Sequence, residues 1–448
     1  MTTKPSNARR RKIFLLAVML LLLACFFLLG GVSRLTNQWA ASAIAHGDRA
    51  AAVYWVEFTD RIAPNDGLHH FLAARLARKA GDLDLMSNHL MLARRLGFAE
   101  QRIELERKLS IAQYGRLADV EPEVSQALAN GADDSAEISD AYANGLTRDS
   151  RFAAALEILN AWKSDRPEDA TPRYRIARIE EYLNTLADAK ASYRAAIARR
   201  ENYYPAMYNL ARLLLDDNQV AEASELFERC MAMPHPAAAQ VGWAISLARL
   251  GESDRAEQLL QEVIKLPLDE IRQSYSSVDE PMERFVAAAE LGKLLASQGE
   301  FNAALEHLDL ALEQNPRDLA ARYSRAIALR GLKRDVEAQA EMDAVDKSKA
   351  AMQQVNTLRN QINRHPEDIQ SRIELGKLLI EFESERNGLF WLRSALVDGQ
   401  DSSDVHRALA DFYQSHAHGS IEYARLAREH RQREQELGAT QKPPSTPE

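Results

Sequence analysis

The residues that could bind a metal in this chain are two histidine pairs. His69 and His70 are adjacent, whereas His416 and His418 are separated by one residue. Neighbouring residues on a helix point in different directions, so the first pair is a poor chelate. The second pair lies beside a predicted turn, without nearby carboxylate or cysteine ligands. We therefore expect no bound metal and interpret these histidines as ordinary surface residues.

Sequence motifs of catalysis and nucleotide binding are missing from the chain. It contains no GxxxxGK[ST], GxSxG, HExxH or GxGxxG, and Gly292-Lys293 lacks the other residues of a phosphate-binding loop. The two cysteines, Cys25 and Cys230, cannot form a disulfide framework or a CxxC motif. The sequence therefore predicts a chain that is not an enzyme and that carries no cofactor.

One pattern that could make binding contacts is an aromatic residue followed four positions later by arginine. The pairs are Phe71 with Arg75, Tyr174 with Arg178, and Tyr208 with Arg212. Residues at i and i+4 share one helical face, so each pair would place a ring beside a guanidinium. Arginine and aromatic residues anchor many protein interfaces, and arginine can bind a carboxylate with two hydrogen bonds. The alternative is that each pair only stabilises its own helix.

The composition predicts that helices position these pairs. The chain has 448 residues, more than one compact core usually holds, and is rich in the helix formers Ala, Leu, Glu and Arg. Its 19 glycines and 15 prolines fall mostly between apolar periodic segments. The net charge of -9 argues against nucleic acid as the main partner. We therefore expect several domains or a helical repeat array.

The chain repeats itself at a nearly constant period. ELGKLL occurs at 290–295 and again at 374–379, and Pro-containing turn cues recur at Asn315-Pro316 and His365-Pro366. Cutting at such cues gives eleven units, most of them 33 to 35 residues long: 33–66, 67–100, 101–134, 135–169, 170–203, 204–236, 237–267, 285–318, 319–348, 369–402 and 403–436.

Small residues recur at fixed positions within these units. Position 8 holds Ala40, Ala74, Ala177, Ala211, Ala244, Gly292, Ala326, Gly376 and Ala410, and position 20 holds Ala52, Ala154, Ala189, Ala223, Ala256, Ala304, Ala338 and Gly388. Two degenerate units have Lys108 and Tyr142 at position 8. This pattern resembles the tetratricopeptide repeat (TPR), whose period is 34 residues. The resemblance implies an all-α, right-handed α-solenoid of TPR helix pairs.

The TPR resemblance also implies where a partner would bind. In such proteins the first helix of each pair lines a concave groove, with positions 5 and 9 facing it. The candidate groove residues at these positions are Phe71, Arg75, Tyr174, Arg178, Tyr208, Arg212, Lys293, Tyr323 and Lys377. A peptide or helix of another protein is the expected occupant. Neither a nucleic acid nor a small-molecule substrate is expected.

An insertion divides the predicted array. Residues 268–284 interrupt the period and are interpreted as an inserted loop or a short extra helix, between an N-terminal part, 33–267, and a C-terminal part, 285–436. Residues 349–368 have a helical pattern but do not complete a unit, so we expect one prolonged, irregular helix there. The polar, proline-containing tail at 437–448 is expected to be disordered.

The N-terminus has the composition of a membrane anchor. Residues 13–32 carry no charged side chain and, as a helix, would span about 30 Å. Residues 1–12 include a basic cluster, Arg9-Arg10-Arg11-Lys12, whereas only Arg34 follows the apolar run closely. The positive-inside rule then predicts a single-pass membrane protein with a cytoplasmic N-terminus. The repeats would lie outside the cytoplasm, in the periplasm if the source is bacterial.

Three fates of this segment remain open. We favour an uncleaved signal anchor. Cleavage as a signal peptide is an alternative, although the nearest small-x-small site, at Ala41 and Ala43, lies well past the apolar run. Lipidation at Cys25 is another, but the apolar run continues beyond that cysteine.

The primary hypothesis on function is a non-enzymatic, membrane-anchored TPR scaffold of bacterial type that mediates protein–protein interactions. A solenoid offers an extended binding surface, and tethering raises the effective concentration of partners at the same bilayer. Its partners would be proteins in the groove and the lipid bilayer, and its role would be cell-envelope assembly or maturation. The alternative is a non-catalytic accessory subunit of a membrane enzyme system, such as a glycosyltransferase or a polysaccharide export machine.

Overall fold

A computed structural model describes residues 31–131, 134–280, 287–417 and 420–440. These described residues form 23 α-helices and one short 3-10 helix, and they contain no strand. The predicted all-α class is therefore confirmed. The chain divides into two compact units, Met1–Gly145 and Leu146–Glu448.

The helices of the first unit follow one another with short connections. They are α1 (Gly31–Ala45), α2 (Arg49–Ile62), α3 (Gly67–Ala80), α4 (Leu83–Arg95), α5 (Glu100–Tyr114), the 3-10 helix Leu117–Asp119, α6 (Glu121–Ala129) and α7 (Ser135–Arg148), which ends just past the unit boundary. Helices α1 with α2 and α3 with α4 pack as consecutive antiparallel pairs. Each pair corresponds to one predicted repeat.

The second unit continues the same succession of pairs. Its helices are α8 (Phe152–Asp165), α9 (Thr171–Tyr182), α10 (Leu186–Arg199), α11 (Tyr204–Asp216), α12 (Val220–Cys230), α13 (Ala237–Arg249), α14 (Ser253–Ile264), α15 (Leu268–Ser277), α16 (Ala287–Gln298), α17 (Phe301–Gln314), α18 (Leu319–Gly331), α19 (Asp335–Arg364), α20 (Ile369–Phe382), α21 (Glu385–Asp398), α22 (Ser403–Ser415) and α23 (Ile421–Thr440).

The recurring turn cues of the sequence act as helix caps. Asp66, Asp318 and Asp368 each accept a hydrogen bond from backbone N–H groups in the first turn of the following helix. Such caps satisfy donors that a helix N-terminus leaves unpaired. At the turn inside a pair, Gly251 and Gly299 adopt φ of 89° and 87°, a left-handed conformation that glycine adopts without steric cost.

Small residues lie where helices approach most closely. Ala74 and Ala211 at position 8, and Ala304 at position 20, are fully buried. A Cβ added to Gly292 would lie 2.5 Å from Leu308 Cγ, so this position has no room for a side chain. The predicted role of these positions as close packing sites is confirmed.

The segments that break the period are helical. Residues 268–277 form α15, and 349–364 belong to α19, which runs 30 residues without a break as the continuation of a repeat's second helix. At the C-terminus, α23 extends to Thr440, beyond the predicted start of the tail at 437, because its residues are mostly good helix formers. Residues 441–448 lie outside the described part of the chain.

The predicted membrane topology requires a correction. Residues 1–30, which include most of the expected anchor and Cys25, lie outside the described residues; only Gly31 and Val32 are present, at the start of α1. Within the described ranges, no helix combines the length and apolar character needed to cross a membrane. Helix α1 itself has 15 residues and carries Arg34 and Asn37. The single-pass localisation is therefore not supported and is withdrawn.

Candidate functional site

In the first unit, the predicted pair Phe71 and Arg75 forms part of a buried ion network. The Arg75 guanidinium lies 4.7 Å from the centre of the Phe71 ring, as expected for residues one helical turn apart. It also contacts Glu106 of α5 at 2.9 Å and Asp134, just before α7, at 2.8 Å. Because both Phe71 and Arg75 are buried, their contacts lie within the unit.

The two residues at the centre of this network, Arg78 and Glu106, were not predicted from the sequence. Arg78 and Glu106 are both fully buried and pair at 2.6 Å, and Arg78 also reaches Glu137 of α7 at 2.8 Å. Burial alone would raise the pKa of Glu106, but the charges of Arg78 and Arg75 outweigh it and hold that pKa below its usual range. The only signal in the sequence was a charged residue at an otherwise apolar helical position. The network ties α3, α5 and α7 together.

In the second unit, α9 and α11 hold a second buried network. Arg178 of α9 and Arg212 of α11 both pair with Glu181, which also accepts the phenolic hydrogen bond of Tyr193. Glu280, from the insertion, lies 2.6 Å from Arg178 and 3.8 Å from Arg212. Burial would raise the pKa of Glu181, but Arg212 and Arg178 keep it below its usual range. Two guanidinium groups and two carboxylates therefore balance one another.

The backbone of the insertion is bound as well. Asn209 of α11 donates to the carbonyl oxygen of Val278 at 2.9 Å, and Arg178 donates to the carbonyl oxygen of Asp279 at 3.1 Å. The Tyr174 hydroxyl donates to the Asp279 carboxylate at 2.8 Å. Burial, and next the Asp279 charge, raise the pKa of Tyr174 well above its usual value, so this phenol remains a donor.

Two further residues anchor the insertion upstream. The backbone N–H of Ala238, in the first turn of α13, donates to Ser274 Oγ at 2.8 Å. Tyr275 is buried in the same hydrophobic cluster as Tyr208 and Leu291. We call residues 268–280 the insert, its last two residues, Asp279 and Glu280, the acidic tip, and the face of α9, α11 and α13 that contacts them the inner groove.

The remaining candidate residues have different surroundings. Tyr208 is buried with its ring against Phe227, at 5.5 Å between centroids. Lys293 pairs with Glu290 one helical turn away. Tyr323 is 44% exposed, with the Lys349 ammonium 5.6 Å from its ring centre, and Lys377 is exposed. The structure thus brings Tyr174, Arg178 and Arg212 together around the insert. Tyr208 lies in the hydrophobic cluster that also holds Tyr275 of the insert, whereas Lys293, Tyr323 and Lys377 have the other surroundings described above. Phe71 and Arg75 belong to the first unit.

The histidine interpretation also requires correction. His69 and His70 are buried, and together with Asp60 they place one potential metal ligand each within 4.8 Å of one another. His69 contacts Asp60 at 3.1 Å, while His70 contacts Pro64 O and His89. Burial lowers the pKa of His69 and of His89, which keeps both rings neutral. These contacts join the end of α2 to the start of α3, a local role that spacing alone did not predict.

The C-terminal histidines were also misjudged. His416 lies 3.2 Å from the Glu385 carboxylate, a partner that the sequence did not reveal because 31 residues separate the two. His418 lies outside the described residues. A further contact, between the Nδ1 atoms of buried His406 and partly buried His430 at 2.9 Å, joins α22 to α23. Burial, and next the His406 ring, lower the pKa of His430 to about 4.

Comparison with known proteins gives likeness in solved structures only. No family model matches, and no curated protein matches. Similar solved structures include YrrB, described as a TPR protein with an unusual peptide-binding site (20% identity, 42% of this chain and 90% of that one, TM-score 0.31). Others are a human IFIT1 dimer with PPP-AAAA (17%, 83% and 90%, 0.38) and the APC/C hetero-tetramer Cut9–Hcn1 (14%, 91% and 94%, 0.32).

These low TM-scores carry no argument about function. The TPR-like fold is supported instead by features of this chain itself. These are helix pairs that repeat about every 34 residues, capped first helices, and buried small residues at fixed positions.

Proposed function

We propose that this chain is a non-enzymatic scaffold that binds a segment of another protein in the inner groove. The observation that carries the proposal is that a piece of the chain itself, Ser274–Glu280, is already bound there by donors from three helices. A face that holds one chain segment through its backbone and its side chains has the chemistry to hold another.

The mode of binding supports a peptide as the ligand. Asn209 and Arg178 bind backbone carbonyl groups, which every peptide offers. Tyr174, Arg178 and Arg212 address carboxylates, which only acidic segments offer. Main-chain hydrogen bonds supply affinity and side-chain contacts supply specificity in peptide recognition generally, and charge-assisted bonds are the strongest of these.

A role in envelope assembly, or as an accessory subunit of a membrane enzyme, depended on the membrane anchor that the described residues do not support. What remains is a binding surface of defined chemistry in the second unit. Among the candidate residues of the sequence, Tyr174, Arg178 and Arg212 are the ones on which this proposal relies.

Photo-crosslinking in the native host tests the proposal. A photoreactive amino acid would replace Arg175, which lies beside the acidic tip with a side chain 25% exposed. A matched control would carry the same amino acid at Glu225, an exposed position on α12. We expect a partner protein attached at position 175 and absent at 225. Identical adducts at both positions, or none at 175, would refute a binding role for this face.

A further inference from the structure

We propose that the insert is a built-in competitor of the partner, and that the partner segment is acidic, with an aromatic residue followed four and five positions later by two carboxylates. This inference rests on the proposed function and specifies the ligand and the regulation of the same groove. The spacing is that of Tyr275 and the acidic tip in the insert itself.

The buried arginines of the inner groove need a carboxylate that the repeats do not supply. Among the described residues in the buried part of the groove, Arg178 and Arg212 pair with one carboxylate from the repeats, that of Glu181; Asp216 contacts Arg212 at 3.9 Å from the exposed edge. Glu280 supplies the second buried carboxylate, with a side chain 3% exposed. A buried guanidinium without a counter-charge is strongly unfavourable. The repeats alone therefore leave a site that needs an anionic group from outside them.

The donors of the inner groove bind backbone oxygens as well as a carboxylate. The donors that bind Val278 and Asp279 reach carbonyl oxygens and one carboxylate oxygen, so they accept a peptide chain rather than a free small anion. The bound segment is the C-terminal turn of α15, in which the Glu280 N–H donates to the Tyr275 carbonyl oxygen at 3.1 Å and Asp279 has a φ of 58°. A partner that makes the same contacts would present its oxygens from a similar turn.

The outer side of the insert is exposed. Helix α15 has only 10 residues, and Asp269 and Arg272 on it have side chains 92% and 61% exposed. Its buried residues are confined to Ser274 and Tyr275, with Val278 and Glu280 following. The fully buried contacts of the insert thus come from one short stretch, whereas Ile271 packs partly buried against the core and Glu270 lies 3.8 Å from His235. Exchange for a competing segment requires the buried stretch to leave the inner groove.

Peptide binding to the full chain tests this inference. The probe is a fluorescent peptide with the sequence of residues 268–280, titrated against the wild-type chain and against D279N/E280Q, in which the competitor is weakened. The matched control is D269N/E270Q, which removes the same charge from the exposed side of α15. We expect the D279N/E280Q chain to bind the peptide at least ten-fold more tightly than the wild type or the control. A peptide with Asn and Gln at its acidic positions should lose that gain.

A folded D279N/E280Q chain, with an unchanged melting curve, that takes up no peptide would overturn the inference, because the insert would then be a permanent part of the fold. If the variant does not fold, hydrogen exchange of the wild-type chain decides. Excess peptide should speed exchange of the amides of 274–280 while those of α9 and α11 remain protected. No change at 274–280 would likewise overturn the inference.

The scaffold function and the acidic-competitor inference can each be refuted without refuting the other. A partner adduct at position 175 without any peptide binding would leave the scaffold standing and remove the acidic-competitor inference. Peptide binding without an adduct would establish the chemistry of the groove and remove the proposed scaffold function.

Discussion

The two buried arginine networks both include an arginine at repeat position 9 but are completed by different parts of the chain. In the first unit, Arg75 and Arg78 meet Glu106 and Glu137, which belong to the helices of neighbouring repeats. In the second unit, Arg178 and Arg212 need Glu280, which lies outside the repeats. The first network is therefore part of the structural core. The second is completed by a segment that another segment of similar chemistry could replace.

This difference bears on how such pairs are interpreted from sequence. An aromatic residue and an arginine at i and i+4 predict a helical face, but not whether that face is internal or open to a ligand. The deciding residues are the carboxylates, and they lie far away: Glu106 is 31 residues from Arg75, and Glu280 is 102 residues from Arg178. The sequence left two hypotheses, a pair that stabilises its own helix and a pair that binds a ligand. Which of them holds is decided by these distant carboxylates.

The largest expected effect is that of Glu106→Gln. This change removes the charge that two buried arginines share and should cost about 3–5 kcal/mol of unfolding free energy. We expect hydrogen exchange to accelerate in α3, α5 and α7, while the second unit keeps its protection. The matched control is Glu104→Gln on the same helix, where the side chain is 42% exposed. A cost below about 1 kcal/mol for Glu106→Gln would contradict a core role for this network.

A smaller effect, about 2 kcal/mol, is expected from Glu280→Gln. Arg178 and Arg212 keep Glu181, and displacement of the insert lets water reach both guanidinium groups, which limits the penalty. Faster exchange should be confined to residues 274–280. If Glu280→Gln instead costs as much as Glu106→Gln and unfolds neighbouring repeats, the two networks are equivalent and the comparison fails.

A fall in pH should weaken the histidine contact between α22 and α23 more than it weakens the two arginine networks. The pKa of His430 lies at about 4, below its ordinary value of 6.5, with His406 and Arg393 opposing its protonation and Glu429 favouring it. The unfolded chain therefore binds this proton more tightly than the folded chain does. The resulting stability is present above about pH 6.5 and is lost as pH falls towards 4.

The expected loss is on the order of 1 kcal/mol, reduced from the full shift because the ring keeps partial solvent contact. Glu106 and Glu181, whose pKa values are lowered, should keep their charge to lower pH than an ordinary glutamate does. Replacement of His430 by asparagine should flatten the pH dependence of exchange in α22 and α23. An unchanged slope in that variant would show that other groups control it.

The smallest effect belongs to Asp269→Asn, which should change stability by less than about 0.5 kcal/mol. Its carboxylate is almost fully exposed and pairs with Arg272 one turn away. Thermal unfolding of this variant beside Glu280→Gln would show whether the location of a charge in the insert, rather than its presence, matters. Equal losses in both would indicate a general effect of net charge.

Much of the fold follows from local sequence, whereas the site does not. The period, the Asp caps and the small residues act within one or two repeats, and the structure places Asp318 and Ala211 as their types predict. Burial of Arg78, the contact of His69 with Asp60, and the position of the acidic tip depend on how separate helices meet. The membrane anchor was inferred from an apolar run and its flanking basic residues, and the described helices do not support it.

Helix α19 has a consequence for how this chain can change in length during evolution. Its N-terminal part contributes Ala338 to the large hydrophobic cluster, and its C-terminal part contributes Val355, Leu358 and Ile362 to a separate one. One residue added between them would rotate the two stripes by about 100° against each other and shift them by about 1.5 Å. Seven added residues, close to two full turns, would nearly restore the rotational phase while separating the stripes by about 10 Å more along the axis. Insertions and deletions in α19 are therefore expected to survive in whole turns, whereas the loops between repeats impose no such phase.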